Sequence, residues 1–141
     1  MMDPSKALRT LTDLSEYGIT FSIDDFGTGY SSLSYLKRLP VSEIKIDRSF
    51  IMDMSIDADD RVIVNTTLQM SHNLGLMVVA EGIEDHETLT SLKEMGCDLA
   101  QGYFICRPIA RNKLLDWFDE SNYSILTSPM VTSPTKLSNL G

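Results

Sequence analysis

The sequence has little positive charge: 12 lysine and arginine residues stand against 20 aspartate and glutamate residues, for a net charge of −8. Such a surface repels phosphate backbones, which excludes broad binding of a nucleic acid polymer. The chain also lacks any run near the ~20 apolar residues that cross a bilayer. Its first residues, MMDPSKALRT, show no charged-then-apolar secretory pattern. We therefore expect a cytoplasmic protein that crosses no membrane.

Cysteine and histidine are also scarce. Cys97 and Cys106 stand at opposite ends of one predicted strand, and at ~3.3 Å per residue they are too far apart to form a disulfide. His72 and His86 have no cysteine or histidine partners at ligand spacing. The sequence therefore predicts two free thiols, which fits a reducing cytoplasm, and no zinc site.

Strand-like and helix-like patterns alternate four times along the chain. The strand-like segments are FSIDD, SEIKID, LMVVAEG and DLAQGY; helices are predicted from Pro4 to about Gly18, near 32–37, at about 60–74, at 84–95 and around Trp117. The third segment is apolar almost throughout, which is typical of a strand buried on both faces of a parallel sheet. The pattern predicts an α/β fold with parallel strands covered by helices.

Polar side chains stand at or near the end of every predicted strand. They are Asp24 and Asp25, Lys45 with Asp47, Glu81, and Gln101. Each residue type also has an ordinary explanation, because carboxylates and amides satisfy turns and a lysine snorkels from a strand end. Their recurrence favours a site, since the carboxyl ends of parallel strands can converge on one volume. Carboxylates that hold a divalent cation, with a lysine to position water or balance phosphoryl charge, suit metal-assisted hydrolysis.

Three segments resemble the signatures of the EAL-domain phosphodiesterases, which hydrolyse the bacterial second messenger cyclic di-GMP. They are IDDFGTGYSSLSYLKRLPVSEIKIDRSFI, VVAEGIED and GCDLAQGYFICRP, in the family's order and with similar spacing. The resemblance, which covers about 4–119, implies Mg²⁺ or Mn²⁺ as cofactor and cyclic di-GMP as ligand. It implies that Asp24 ligates a metal, Asp25 lies near a second metal, Lys45 helps hold the catalytic water, Glu81 takes part in water activation, and Gln101 lies in the substrate site. The loop from Phe26 to Tyr30 resembles one that couples the site to dimerisation.

The family's Glu-x-Leu motif, with its metal-ligating glutamate, belongs to earlier strands and has no counterpart here. The literal match ETL, at 87–89, lies inside a predicted helix. At 141 residues the chain is also shorter than the ~250 of a complete eight-stranded barrel. The resemblance therefore implies four βα units of a (β/α)8 TIM-type barrel: a half-barrel, or truncated EAL fold, over residues 1–120. Residues 121–141, rich in serine, threonine and proline, are expected to be a disordered tail or a docking strand.

An open four-stranded sheet is expected to expose two strand edges, and Phe21, Ile23, Ile46 and Val79, or their alternate neighbours, to water. A homodimer or a complementing amino-terminal half would cover these surfaces. Three hypotheses follow. The chain is half of a phosphodiesterase that works only with a complementing half, a non-catalytic module that binds cyclic di-GMP or a protein, or a truncated product without a separate function. In all three the chain alone is not expected to be a competent enzyme.

Overall fold

A computed structural model of the chain describes residues 4–28, 33–121 and 135–136. The helices are α1 (Pro4–Glu16), α2 (Leu33–Leu36), α3 (Arg48–Asp53), α4 (Ala58–Asn73), α5 (His86–Glu94) and α6 (Leu114–Glu120), the last preceded by a 3₁₀ turn at Arg111–Lys113. The strands are β1 (Ser22–Phe26), β2 (Glu43–Ile46), β3 (Met77–Glu81), β4 (Leu99–Gln101) and β5 (Thr135–Lys136).

The strands form one sheet in the order β1-β2-β3-β4-β5. Neighbouring strands from β1 to β4 are parallel, and helices lie between them in the sequence. β5 runs antiparallel to β4. The structure confirms the predicted α/β class and the four successive parallel strands.

The hydrophobic core lies between the helices and one face of the sheet. β2, β3 and β4 contribute Ile46, Val78, Ala80 and Ala100 to this core. The helices and the segments that connect helices and strands contribute Ile51, Met54, Val64, Leu68, Ile83, Leu89, Leu92 and Cys97. Close packing of these side chains fixes the sheet against α3, α4 and α5, and so fixes where the strands end.

The prediction that Ile46 and Val79, or their alternate neighbours, would face water was wrong for these two residues and for Val78 and Ala80, which are all buried. Ile46 belongs to the core on the helix side of the sheet. Val79 lies on the opposite face with an exposed fraction of 0%, in register between Lys45 and Leu99. A central strand is flanked on both sides, so even an open sheet shields such a residue. Phe21 and Ile23, at the outer strand, are half-buried.

Several element boundaries differ from the sequence-based expectation. β1 spans Ser22–Phe26, so it extends one residue past the two aspartates that were expected to end it. α4 begins at Ala58, because the Asp57 side chain accepts hydrogen bonds from the backbone N–H groups of Asp59 and Asp60. α3 was not predicted; Asp47 caps it by accepting a hydrogen bond from the N–H of Ser49.

Three residues of the tail at 121–141 are described: Ser121, Thr135 and Lys136. Thr135 and Lys136 form β5, whereas 122–134 and 137–141 lie outside the described residues, so the domain boundary near 120 stays a prediction. No described helix is long and apolar enough to cross a membrane. Cys97 and Cys106 are both free thiols, as predicted.

Candidate metal centre

An irregularity in β1 places two carboxylates opposite one lysine. The register with β2 is regular at Ile23↔Ile44 and resumes at Phe26↔Ile46, so Asp24 and Asp25 both oppose Lys45. A bulge of this kind leaves one extra residue in the strand and re-aims its side chain. Asp25 adopts φ of +50°, a conformation that aspartate tolerates better than most residues. The bulge therefore brings both carboxylates toward one site.

Short polar contacts hold this bulge. The N–H of Asp25 donates to Oδ1 of Asp24 at 2.9 Å, and the Thr28 hydroxyl donates to the carbonyl of Asp25 at 2.8 Å. Gly27, with φ of +103°, packs so closely that an added Cβ would lie 2.8 Å from the Phe50 ring. Gly27, directly after β1, is thus seated on α3, and only glycine fits at this contact.

Asp24, Asp25 and Glu81 form a carboxylate cluster. One oxygen from each lies within 4.8 Å of the others. The Lys45 ammonium forms an ion pair with Glu81 and lies 4.0 Å from Oδ1 of Asp24. The Lys45 and Glu81 side chains are only 22% and 18% exposed, so the pair is partly desolvated. β1 and β3 contribute the carboxylates, and β2 between them contributes the cation.

The electrostatics show that the carboxylates crowd one another. The charge of Asp24, followed by desolvation and the charge of Asp47, raises the pKa of Asp25. The hydrogen bond with Glu81 is the largest cause that raises the pKa of Lys45. Like charges this close favour protonation or a bound cation. Lys45 neutralises only part of the cluster.

Asp47 also reaches this site, although no separate role was predicted for it. The charge of Asp47 contributes to the raised pKa of Asp25. Bonds from the hydroxyl and backbone N–H of Ser49 lower the pKa of Asp47. The signal in the sequence was its position directly after Lys45 and Ile46 at the strand end. The α3 cap that orients it was not recognised.

Gln101 stands beside Glu81 in the β3–β4 register and is exposed. The backbone carbonyl of Gln101 accepts a hydrogen bond from the N–H of Ile83 at 3.1 Å. At the next residue, Gly102, an added Cβ would lie 2.1 Å from the Ile83 carbonyl oxygen. Only glycine allows this close approach, which joins the ends of β3 and β4. Gln101 therefore lies next to Glu81, one of the three clustered carboxylates.

A cleft follows these two strand ends. It is lined by Glu84, Tyr103, Phe104 and Arg107. The Arg107 guanidinium stacks 4.9 Å above the centre of the Tyr103 ring, and both aromatic side chains are partly exposed. Aromatic and guanidinium faces of this kind suit a planar ring system.

The donor set fits a hard divalent cation. Three carboxylates offer oxygen ligands only, the type that Mg²⁺ and Mn²⁺ prefer, and Asp24, Asp25 and Glu81 converge within bonding reach of one ion. The structure thus brings together four of the five predicted site residues and places Gln101 beside them.

Comparison with known proteins identifies similar chains. Residues 1–108 match the family model described as EAL domain. The bifunctional diguanylate cyclase/cyclic di-GMP phosphodiesterase MucR of Pseudomonas aeruginosa is 47% identical over 115 residues, which are 82% of this chain and 17% of that protein. The cyclic di-GMP phosphodiesterase RocR of the same organism is 37% identical over 114 residues, covering 81% of this chain and 29% of RocR. The chain thus spans less than a third of either relative.

Solved structures show the same architecture. The phosphodiesterase PaMucR in complex with c-di-GMP matches with a TM-score of 0.76 and 46% identity, over 81% of this chain and 46% of that one. Klebsiella pneumoniae BlrP1 with manganese and cy-diGMP matches with a TM-score of 0.65 and 38% identity, over 71% of this chain and 26% of BlrP1. Both comparisons leave about half or more of the solved chain without a counterpart.

Proposed function

The chain belongs to the EAL-domain family, and from that premise we propose that it supplies the carboxyl-terminal half of a metal-dependent site that hydrolyses cyclic di-GMP. The observation that carries this proposal is the cluster of Asp24, Asp25 and Glu81, whose oxygens lie within 4.8 Å of one another. Carboxylates that only satisfied a turn would not need to converge from β1 and β3, which β2 separates.

Each site residue has a role that follows from its position. Asp24, Asp25 and Glu81 would hold Mg²⁺ or Mn²⁺, which when bound supplies charge neutralisation at phosphate and a more acidic water. Lys45, held by its ion pair with Glu81, keeps a positive charge at the centre of the cluster and positions the attacking water. Gln101, next to Glu81, hydrogen-bonds the nucleotide. The cleft at Tyr103 and Arg107 gives a guanine base a flat surface to stack on.

The same proposal makes the chain incomplete. It covers 46% of the solved MucR chain, and the resemblance assigns further metal ligands to strands that precede this segment. A cation held by part of its ligand set is bound weakly and places its water poorly. We therefore propose that an amino-terminal half must complete the site, in the reducing cytoplasm of a bacterium.

A hydrolysis assay tests this function. The purified chain with Mn²⁺ and cyclic di-GMP should give no turnover to the linear dinucleotide. Co-expression with the part of the MucR EAL domain that this chain does not cover should restore turnover, because the missing ligands are then present. Asp24→Asn in the complemented pair should abolish turnover, whereas Asp116→Asn on helix α6, outside the carboxylate cluster, should leave it unchanged.

Two results would contradict the proposal. Turnover by the chain alone that disappears with Asp24→Asn would show that the half-site suffices. A complemented pair that binds cyclic di-GMP without hydrolysis would instead identify a non-catalytic binding module.

A further inference from the structure

We propose that β5 is an exchangeable cap on the edge of β4, and that its displacement lets β1 of a second copy of this chain pair there to close an eight-stranded barrel. This inference goes beyond the phosphodiesterase proposal and is independent of it, since neither metal nor nucleotide takes part.

The cap occupies one edge of the sheet. Thr135 pairs with Ala100 and Lys136 pairs with Leu99, in the antiparallel sense. Leu99 is only 4% exposed, although its register with Val79 places it on the sheet face away from the core. An edge strand with free N–H and C=O groups recruits other strands, so two paired residues at this position protect the chain.

The cap and barrel closure exclude each other. In a (β/α)8 barrel the last strand pairs in parallel with the first strand of the other half. The N–H and C=O groups on the outer side of β4 pair only once, and the antiparallel β5 now uses them. A strand from another half can therefore enter only when Thr135 and Lys136 leave.

The second copy offers the complementary edge. In the described part of the chain, β1 pairs with β2 on one side only. Two copies with four parallel strands each contain the strand number of a complete barrel, and β1 of each copy would meet β4 of the other around a two-fold axis. β5 is two residues long, so few hydrogen bonds hold it in place.

A proline substitution in the full chain tests the cap. Lys136→Pro fixes φ of one paired residue at about −65°, far from the extended value of an antiparallel strand, and so disfavours β5. At low protein concentration, amide exchange in the segment 97–102 should become roughly tenfold faster than in the wild type, because the β4 edge opens. At higher concentration in ~150 mM salt, which screens repulsion between two acidic chains, the mass should rise from 15.8 kDa toward twice that value in sedimentation.

Two controls test whether the effects come from the loss of β5 at the edge of β4. Asn139→Pro adds the same residue outside β5 and should behave as the wild type. A synthetic peptide of residues 130–141, added to the Lys136→Pro chain, should restore slow exchange and return the mass to the monomer. The same peptide carrying Lys136→Pro should do neither.

Several results would overturn the proposal. They are unchanged exchange in Lys136→Pro, faster exchange with a monomeric mass at every concentration, polydisperse aggregates in place of a dimer, or a wild type that already dimerises equally well.

A cysteine pair tests the pairing of β5 with β4 without proline. In a Cys106→Ala background, Ala100→Cys with Thr135→Cys should form a disulfide on oxidation, since directly opposite antiparallel residues lie within bridging distance. Failure of that disulfide to form would also refute the cap.

Discussion

Asp25 has a positive φ of +50°, and at the residue scale this conformation creates the site. Without the bulge, Asp24 and Asp25 would alternate onto opposite faces of β1. The sequence could name both carboxylates as candidates because they end an alternating run. It could not show that both carboxylates lie toward the same site. That depends on the bulge, and the bulge depends on the register with β2, which lies about twenty residues further along the chain. For the same reason Asp47 received no role from the sequence.

Lys45→Met should tighten binding of Mn²⁺. Lys45 is paired with Glu81 and lies 4.0 Å from Asp24, so its charge competes with a cation for these carboxylates. Removing it leaves more negative charge at the site, and we expect Kd for Mn²⁺ to fall roughly threefold to tenfold. Titration followed by electron paramagnetic resonance measures the change. Lys113→Met, on the 3₁₀ turn, is the control for the loss of net charge. Weaker binding in Lys45→Met would mean that the lysine organises the ligands instead of competing with the metal.

The buried thiol of Cys97 should make the protein less stable in alkaline solution. Burial raises the pKa of its thiol from 9.0 to about 12. Because the folded pKa lies above the unfolded one, the stabilising contribution is complete below pH 9 and is lost as the pH rises toward 12. Urea unfolding from pH 8 to 10 should show the free energy of unfolding fall by about 1 kcal/mol on this account. Cys97→Ala should flatten that slope, whatever its effect at pH 8. If the free energy of unfolding of Cys97→Ala fell with pH as steeply as that of the wild type, groups other than Cys97 would cause the loss. Lys45, whose pKa is also raised, contributes mainly at higher pH.

At the element scale, the order of strands and helices could be predicted because hydrophobic periodicity is a local property. The boundaries could not, because they depend on side-chain caps. Asp47, Asp57 and Asp85 each accept a hydrogen bond from the first turn of a helix. α3 was missed because its six residues are too few to show a helical period. Yet this short helix turns Asp47 toward Asp25 and seats the loop at Gly27.

Asp57→Ala should destabilise the protein by about 1 kcal/mol. The Asp57 side chain accepts bonds from the N–H groups of Asp59 and Asp60, at 2.8 and 3.3 Å, and alanine leaves both without that acceptor. Urea unfolding at neutral pH measures the loss. Asp57→Asn is the matched control, because asparagine caps a helix nearly as well, and it should stay close to the wild type. Equal losses in the two variants would mean that the charge at the helix start, and not the cap, stabilises α4.

At the scale of the whole molecule, the family and the half-barrel could be predicted because the three signature segments span most of the described chain. The fate of the sheet edges could not, because it depends on a contact between residues far apart in the sequence. The expectation of two open edges fails at Leu99 and Ala100, which pair with the tail. Ile46 and Val79 stay buried because the helix layer and the neighbouring strands shield them without a second half.

We propose that the bulge in β1 and the end of β3 together form a divalent cation site on this chain. Mn²⁺ titration of the isolated chain at neutral pH, followed by electron paramagnetic resonance, tests it most directly. We expect one weak site with Kd on the order of 0.1–1 mM, weakened about tenfold or more by Asp24→Asn and unchanged by Asp116→Asn on α6. Equal Mn²⁺ binding by the wild type and Asp24→Asn would contradict it, because the three clustered carboxylates would then not be the ligands.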